Sequence, residues 1–271
     1  MKFRLKALGW HLLGSAVVLT LVIGTLYLGW YHWPGWYLAD ARQVGTVLTG
    51  ADLTIGPLLT FVVARASKPR RALARDVAVI VVLQLCALVY GTMSLWNGRP
   101  LYYAYSEGVL QLVQAYDIND QELALARQQH APLLPHWYSL PRWIWAPLPK
   151  DPDVSAKIVT AAVAGGDDVI SMPQYYKPWE EGVPELRKQL KKVDDLKYFS
   201  PPEKEEFKAQ MRAVGIATDQ LNSLAFTGRA RPLLAVFDPA SLKILALFHV
   251  TEQPRPSRTA QHRGWLPFHR K

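Results

Sequence analysis

Apolar residues gather in three long runs before Asn97, at about 8–31, 44–64 and 77–96. Each approaches the ~20 residues that a helix needs to cross a bilayer. Three in succession predict a membrane domain of three helices. After Asn97 the texture changes. RPLYYAYSEGVLQLVQAY sets two aromatic-rich apolar runs around Glu107-Gly108 and predicts a β-hairpin. A helix follows through QELALARQQ, with Asp117 or Asn119 as its cap. In residues 130–152 proline recurs at 132, 135, 141, 147, 149 and 152, which predicts neither helix nor central strand there. Asp153 caps a helix that stops at Gly165. Another starts at Pro184 and carries the alternating charges of PELRKQLKKVDD on a solvated face. Ser200-Pro-Pro-Glu203 forms a capping box for a helix ending at Gly215. Strands at about 231–237 and 242–250 flank the turn Asp238-Pro239-Ala240-Ser241 and make a second hairpin.

Two hairpins enclosing a helical middle predict a small α+β domain with antiparallel hairpins in one sheet and helices on one side. The expected division is a three-helix membrane domain over 1–96, an α+β domain over 97–250, and a flexible basic tail over 251–271.

Charge orients this scheme. The 271-residue chain carries a net +9, and residues 1–76 hold nine Lys/Arg against Asp40, Asp52 and Asp76, a net +6. That charge sits before the first run and between the second and third, whereas residues 32–43 contain only Arg42. The asymmetry follows the positive-inside rule. It predicts a cytoplasmic N-terminus with residues 97–271 outside the cytoplasm, which in a bacterium means the periplasm or cell exterior, and it argues against nucleic acid as partner. Trp30, Tyr31, Trp33, Trp36 and Tyr37 mark the outer boundary, and Trp96, Tyr102 and Tyr103 mark it again after the third run. Ala39-Asp40-Ala41 fits a signal-cleavage site in its letters. The apolar run is nevertheless longer than a signal core and the aromatic loop intervenes, so the first helix is expected to stay as an anchor. The single cysteine, Cys86, falls inside the third run and reads as a small packing residue.

Candidate chemistry in the outer domain is sparse. His130 and His136 lie five residues apart in a proline-rich loop with no cysteine nearby, so no metal site is expected. Asp167-Asp168 follow a helix end, and nothing fixes a distance between Glu107 and Asp117. No nucleophile elbow, phosphate loop or dinucleotide fingerprint occurs. No catalytic residue and no cofactor site is assigned. Trp137 and Trp143, interleaved with the prolines, are either loop aromatics packed on the domain or membrane surface, or a partner-binding surface.

The second apolar run is more informative. TGADLTIGPLLTFVVA keeps an acid, Asp52, one turn from Gly56-Pro57. Pro57 lacks an N–H, so the carbonyl of Leu53 is expected to lose its helical partner and the helix to kink. A buried acid near mid-bilayer costs about 2.5–3.5 kcal/mol on insertion scales and must face protein. Counting depth from the outer edge offers Thr20 on the first helix and Tyr90 or Thr92 on the third as partners, and leaves His11 too near the cytoplasmic face. Gly45, Gly50 and Gly56 allow close helix approach. Asp52, Gly56, Pro57 and Gln84 then have two readings that pattern alone leaves open: glue inside a three-helix bundle, or a polar patch that receives a helix of another protein.

The block GADLTIGPLLTFVVA, the basic loop ending in Arg75-Asp76, VLQLCALVYG with Gln84 and Gly91, and Arg99-Pro100 together resemble the TfpX/TfpZ family of type IV pilin accessory proteins. GGDDVISMPQYYKPW and RPLLAVFDPASLKILAL fit the later half more loosely. The resemblance implies an inner-membrane, non-enzymatic protein that supports the stability or assembly of a type IV pilin. Its partners would be that pilin, membrane lipid and other pilus-assembly proteins. The alternative is a membrane-anchored sensor or transporter subunit whose outer domain binds a small ligand.

Overall fold

A computed structural model of the chain describes residues 1–65 and 67–250. The expected tail over 251–271 lies outside the described residues.

Among the described residues three helices are long and apolar enough to cross a membrane, spanning Lys2–Tyr31, Ala41–Val63 and Arg70–Asn97. The first comprises α1 (Lys2–Leu26) and a wide π turn at Tyr27–Tyr31. A short α2 (Gly35–Leu38) leads into the second, which comprises α3 (Ala41–Gly50), a π turn at Ala51–Ile55 and α4 (Gly56–Val63). The third is α5 (Arg70–Asn97), entered after Pro69 and left at Gly98. The first and third spans both pack along the second and touch each other little.

The remainder forms one seven-stranded sheet in the order β4-β3-β1-β2-β5-β6-β7. Its strands are β1 (Pro100–Ser106), β2 (Val109–Gln114), β3 (Arg142–Trp145), β4 (Lys177–Pro178), β5 (Ser223–Thr227), β6 (Leu233–Phe237) and β7 (Ile244–Phe248). Both predicted hairpins are present. Glu107 and Gly108, both at positive φ, make the two-residue turn of the first. The antiparallel expectation is corrected, because β3 runs parallel to β1 and β5 parallel to β2. Two strands carry the correction. Arg142–Trp145 occupies a proline-free gap between Pro141 and Pro147 and pairs on both sides, contrary to the expectation of no inner strand there. SLAFT at 223–227 is a strand of five residues between Asn222 and Gly228, too short for a clear alternation, and sequence pattern passed over it.

Helices cover both faces of the sheet, not one. Alternation along β1 sends Tyr103 and Tyr105 to one core and Tyr102 and Ala104 to the other. On the first face lie Leu186 of α8 (Trp179–Gln189) and Leu190 just beyond it. On the second, Leu123 of α6 (Asp120–Gln128) packs near Tyr102, and Phe207 and Met211 of α9 (Pro201–Ala213) pack under Leu234 and Val236. Asn119 caps α6 and Ser200 with Glu203 closes the capping box of α9, as expected. The cap of α7 (Pro152–Val163) is Asp151, not Asp153; Pro152 occupies the first turn, where a missing N–H costs nothing. Helix α8 begins at Trp179 and runs through Pro184, five residues earlier than the proline implied.

One hydrophobic cluster continues from the helices into the sheet. It holds Tyr31, Leu38 and Leu95 together with Tyr103, Phe226 and Phe237. The backbone joins too: the Leu38 carbonyl accepts from the N–H groups of Arg229 at 2.7 Å and Ala230 at 3.2 Å. A Cβ on Gly228 would lie 2.4 Å from that same carbonyl oxygen, so only glycine allows this approach.

Candidate functional site between the apolar helices

The second span presents Asp52, Gly56 and Thr60 as a buried row. Spaced at i, i+4 and i+8, they share one helix face. Against this row sit His11 of the first span and Gln84 of the third. His11 Nδ1 lies 2.5 Å from Thr60 Oγ1, and His11 Nε2 lies 2.6 Å from Gln84 Oε1. Gln84 Nε2 donates to the backbone carbonyl of Asp52 at 3.2 Å. The chemistry of the amide orders these contacts. A carbonyl only accepts, so the Gln84 nitrogen must face Asp52 and its oxygen must face His11. The His11 hydrogen then sits on Nε2, and Nδ1 accepts from the Thr60 hydroxyl. Three helices are thereby joined by one unbranched chain of polar contacts.

The π turn explains why Gln84 is placed there. In an i→i+5 pattern, Pro57 faces the carbonyl of Asp52, not that of Leu53. The oxygen that proline cannot serve is the one Gln84 reaches. Gly56 makes the approach possible, since a Cβ there would fall 2.1–2.3 Å from the Gln84 amide atoms. Gly45 and Gly91 are filled by the rings of Trp36 and by Leu48. Asp52, Gly56, Pro57 and Gln84 are therefore brought together, and their first contacts are within the chain.

The partners expected for Asp52 are not at hand. Thr20 and Tyr90 are exposed, and the Thr92 hydroxyl is buried without a hydrogen-bond partner. His11, set aside by depth counting, is the residue used. It is level not with Asp52 but with Thr60, two turns or about 12 Å farther along the second span, and Gln84 bridges the difference. The spacing Asp52-Gly56-Thr60 was the available signal.

Beside the polar chain a cavity of about 430 Å³ opens between the first and third spans. Ala7, Trp10, His11, Gly14 and Val18 line it on one side, Val77, Val81, Gln84 and Leu88 on the other, and Asp52 and Thr60 form its floor. Asp52 is only 5% exposed. The lining runs from Ala7 to Val18 of α1 and from Val77 to Leu88 of α5, and beyond it the two spans touch where Trp30 and Trp96 pack edge-on at 5.0 Å. The groove is apolar with one polar seam.

A second polar cluster lies where the helices meet the sheet. Gln114 Nε2 donates to the Gly98 carbonyl at 2.5 Å, and Arg229 Nε donates to Gln114 Oε1 at 3.1 Å. Asp117 accepts the Gln114 N–H at 2.7 Å and faces Arg229 at 3.8 Å. Burial pushes the Asp117 carboxyl above its ordinary range despite that N–H and the guanidinium. Burial likewise raises Tyr116 to about 12. These residues fasten the domain to the end of the third span.

The two tryptophans separate. Trp143 on β3 is half-buried among Tyr103, Phe226 and Trp179. Trp137 is 72% exposed. A wider cleft of about 720 Å³ lies between α8 and the β6–β7 turn, lined by Leu133, Trp143, Trp179 and Lys243. Among the described residues no group of three or more His, Cys, Asp or Glu is placed to hold a metal ion.

The chain is similar to fimbrial assembly proteins of Dichelobacter nodosus. It is 28% identical over 124 residues, 46% of its own length, to the one named for serogroups C1 and C2, of which the match covers 95%. The same identity over the same length relates it to those of serogroup E1 and serogroup I. The match spans about half the length of the latter two, 48% of each. No family model matches the chain, and no solved structure matches it.

Proposed function

We propose that this chain is a non-enzymatic inner-membrane accessory protein for a type IV pilin, and that the groove floored by Asp52 and Thr60 receives the pilin's membrane helix. The similarity to fimbrial assembly proteins carries the reading. The groove supplies it with a physical basis. An ionisable residue kept at membrane depth is a functional candidate by its cost. Here Gln84 reaches the backbone carbonyl of Asp52 and is itself tied through His11 to Thr60, while an open apolar trough is left beside the acid. A guest helix packing in that trough gains close contact at Gly14 and Ala7, where small side chains let backbones approach. On this reading the N-terminus is cytoplasmic, the sheet domain is periplasmic and contacts the pilin head, and other pilus-assembly proteins are secondary partners.

The test is recovery of partners with the tagged chain from its native membrane in mild detergent, read by mass spectrometry. The expected result is a pilin in comparable amount, lost when the second span is replaced by a Leu/Ala helix. Absence of pilin even after crosslinking in the intact membrane refutes the reading. Attention would then pass to a small ligand in the cleft beside Trp179 and to a sensor or transporter role.

A further inference from the structure

Residues 137–140, Trp-Tyr-Ser-Leu, belong to a loop of the sheet domain yet touch the helices. The Trp30 indole Nε1 donates to the Ser139 carbonyl at 2.7 Å. The Trp137 ring lies 6.4 Å from that of Trp96, and Leu140 is the nearest neighbour of Gly29, 3.9 Å from where a Cβ would stand. Trp30 and Trp96 are one residue from the ends of the first and third spans. The loop is thus held at the level where those spans leave their apolar stretch. Three of its side chains nevertheless point outward: Trp137 at 72% exposure, Tyr138 at 58% and Leu140 at 58%. The patch continues the outer surface of the spans, where Leu28 and Met93 are also exposed.

We infer that Trp137, Tyr138 and Leu140 form an interfacial foot that seats the sheet domain on the headgroup–acyl boundary of the bilayer. The chemistry fits that layer. Indole and phenol rings carry an apolar body with one polar hydrogen, and they concentrate where hydrocarbon meets water. Leu140 adds a purely apolar contact. His136 stacks on the Tyr138 ring and stiffens the tip. Because Trp137 also meets Trp96, and Trp96 meets Trp30, the foot is tied to the same ends of the first and third spans. It would fix the tilt of the domain relative to any helix lying in that groove. The inference rests on the three spans being embedded in lipid, as the proposed function also requires.

The experiment places a nitroxide at single cysteines of the full chain, in a Cys86→Ser background, in phosphatidylglycerol/phosphatidylethanolamine nanodiscs. Tyr138→Cys is the test position, Leu83→Cys on the exposed face of the third span is the lipid reference, and Lys192→Cys on the domain surface is the aqueous reference. Accessibility to oxygen is compared with that to a water-soluble nickel chelate. The expected ratio at position 138 is several-fold above that at 192 and below that at 83. A ratio at 138 equal to that at 192, with 83 lipid-like, overturns the foot while leaving the spans in the bilayer. Aqueous ratios at both 83 and 138 remove the bilayer and the foot with it. Immobilisation at 138 that occurs only when pilin is added makes the patch a protein contact and likewise overturns the inference.

Discussion

Substituting Gly56 by alanine tests whether the Gln84 bridge is what holds the three helices. The added methyl would sit 2.1 Å from Gln84 Nε2 and 2.2 Å from its Cδ. The amide must therefore leave, and it gives up two contacts: the one to His11 at 2.6 Å and the one to the Asp52 carbonyl at 3.2 Å. Interhelical hydrogen bonds in membranes average about 0.6 kcal/mol, so the pair contributes about 1.2 kcal/mol. Residual overpacking raises the cost of Gly56→Ala to about 1–3 kcal/mol. Gln84→Ala alone loses the same pair, about 1–2 kcal/mol, and empties the space that the methyl needs. The double variant should then be no less stable than Gln84→Ala, with a coupling energy of about 1–3 kcal/mol. The measurement is reversible unfolding in mixed micelles, followed by helical circular dichroism for all four proteins. Additive losses would show that Gly56 and Gln84 act independently and would refute the assignment of the bridge.

Asp52→Asn keeps the size of the side chain and leaves the backbone carbonyl for Gln84; pilin recovery and pilus number should fall while chain abundance holds, and unchanged pili would exclude a role for the charge. Trp143→Ala, which strips a half-buried ring from three aromatic neighbours, should cost about 3 kcal/mol, whereas Trp137→Ala should stay within about 0.5 kcal/mol in detergent, both read by thermal melting. Asp117 is held above its ordinary value of 3.8, so the folded state binds its proton more tightly than the unfolded state does. Its contribution is present below that value and is lost as pH rises through the raised one. The stability of wild type relative to Asp117→Asn should therefore decline as pH is scanned upward from about 3.5, and a flat difference would contradict the burial argument.

Much of the architecture was legible because local rules and burial agreed. Three apolar runs became three helices of spanning length, and the turn at Glu107-Gly108 and the capping box at Ser200 lie where their residues placed them. The failures share a cause: an effect from outside the local window. Arg142–Trp145 is too short to announce a strand among prolines, and it becomes one because Tyr102–Tyr105 offers a parallel edge. Pro184 reads as a helix start, yet Gly182, packed 2.5 Å (as a Cβ would stand) from the Trp145 ring, lets the chain coil earlier against the sheet.

The groove shows the same limit at the site itself. Depth counted at 1.5 Å per residue assumes straight helices whose partners sit at equal height. Residue types alone singled out Asp52, the proline break, Gly56 and Gln84, without showing that Gly56 and Gln84 touch, and depth then chose Thr20, Tyr90 or Thr92 as partners. Depth missed His11 because the relevant contact is not lateral. The π turn at Ala51–Ile55 shifts the unserved carbonyl back to Asp52, and a side chain as long as glutamine's is needed to reach it while still facing His11. A shorter amide at position 84 would serve one end or the other, not both. The helix break, the glycine and the glutamine are thus one device. Its consequence is that the Gln84 amide, the His11 ring and the Asp52 carbonyl already have partners within the chain, so a guest helix would be selected by fit to the apolar walls and by the Asp52 side chain on the groove floor.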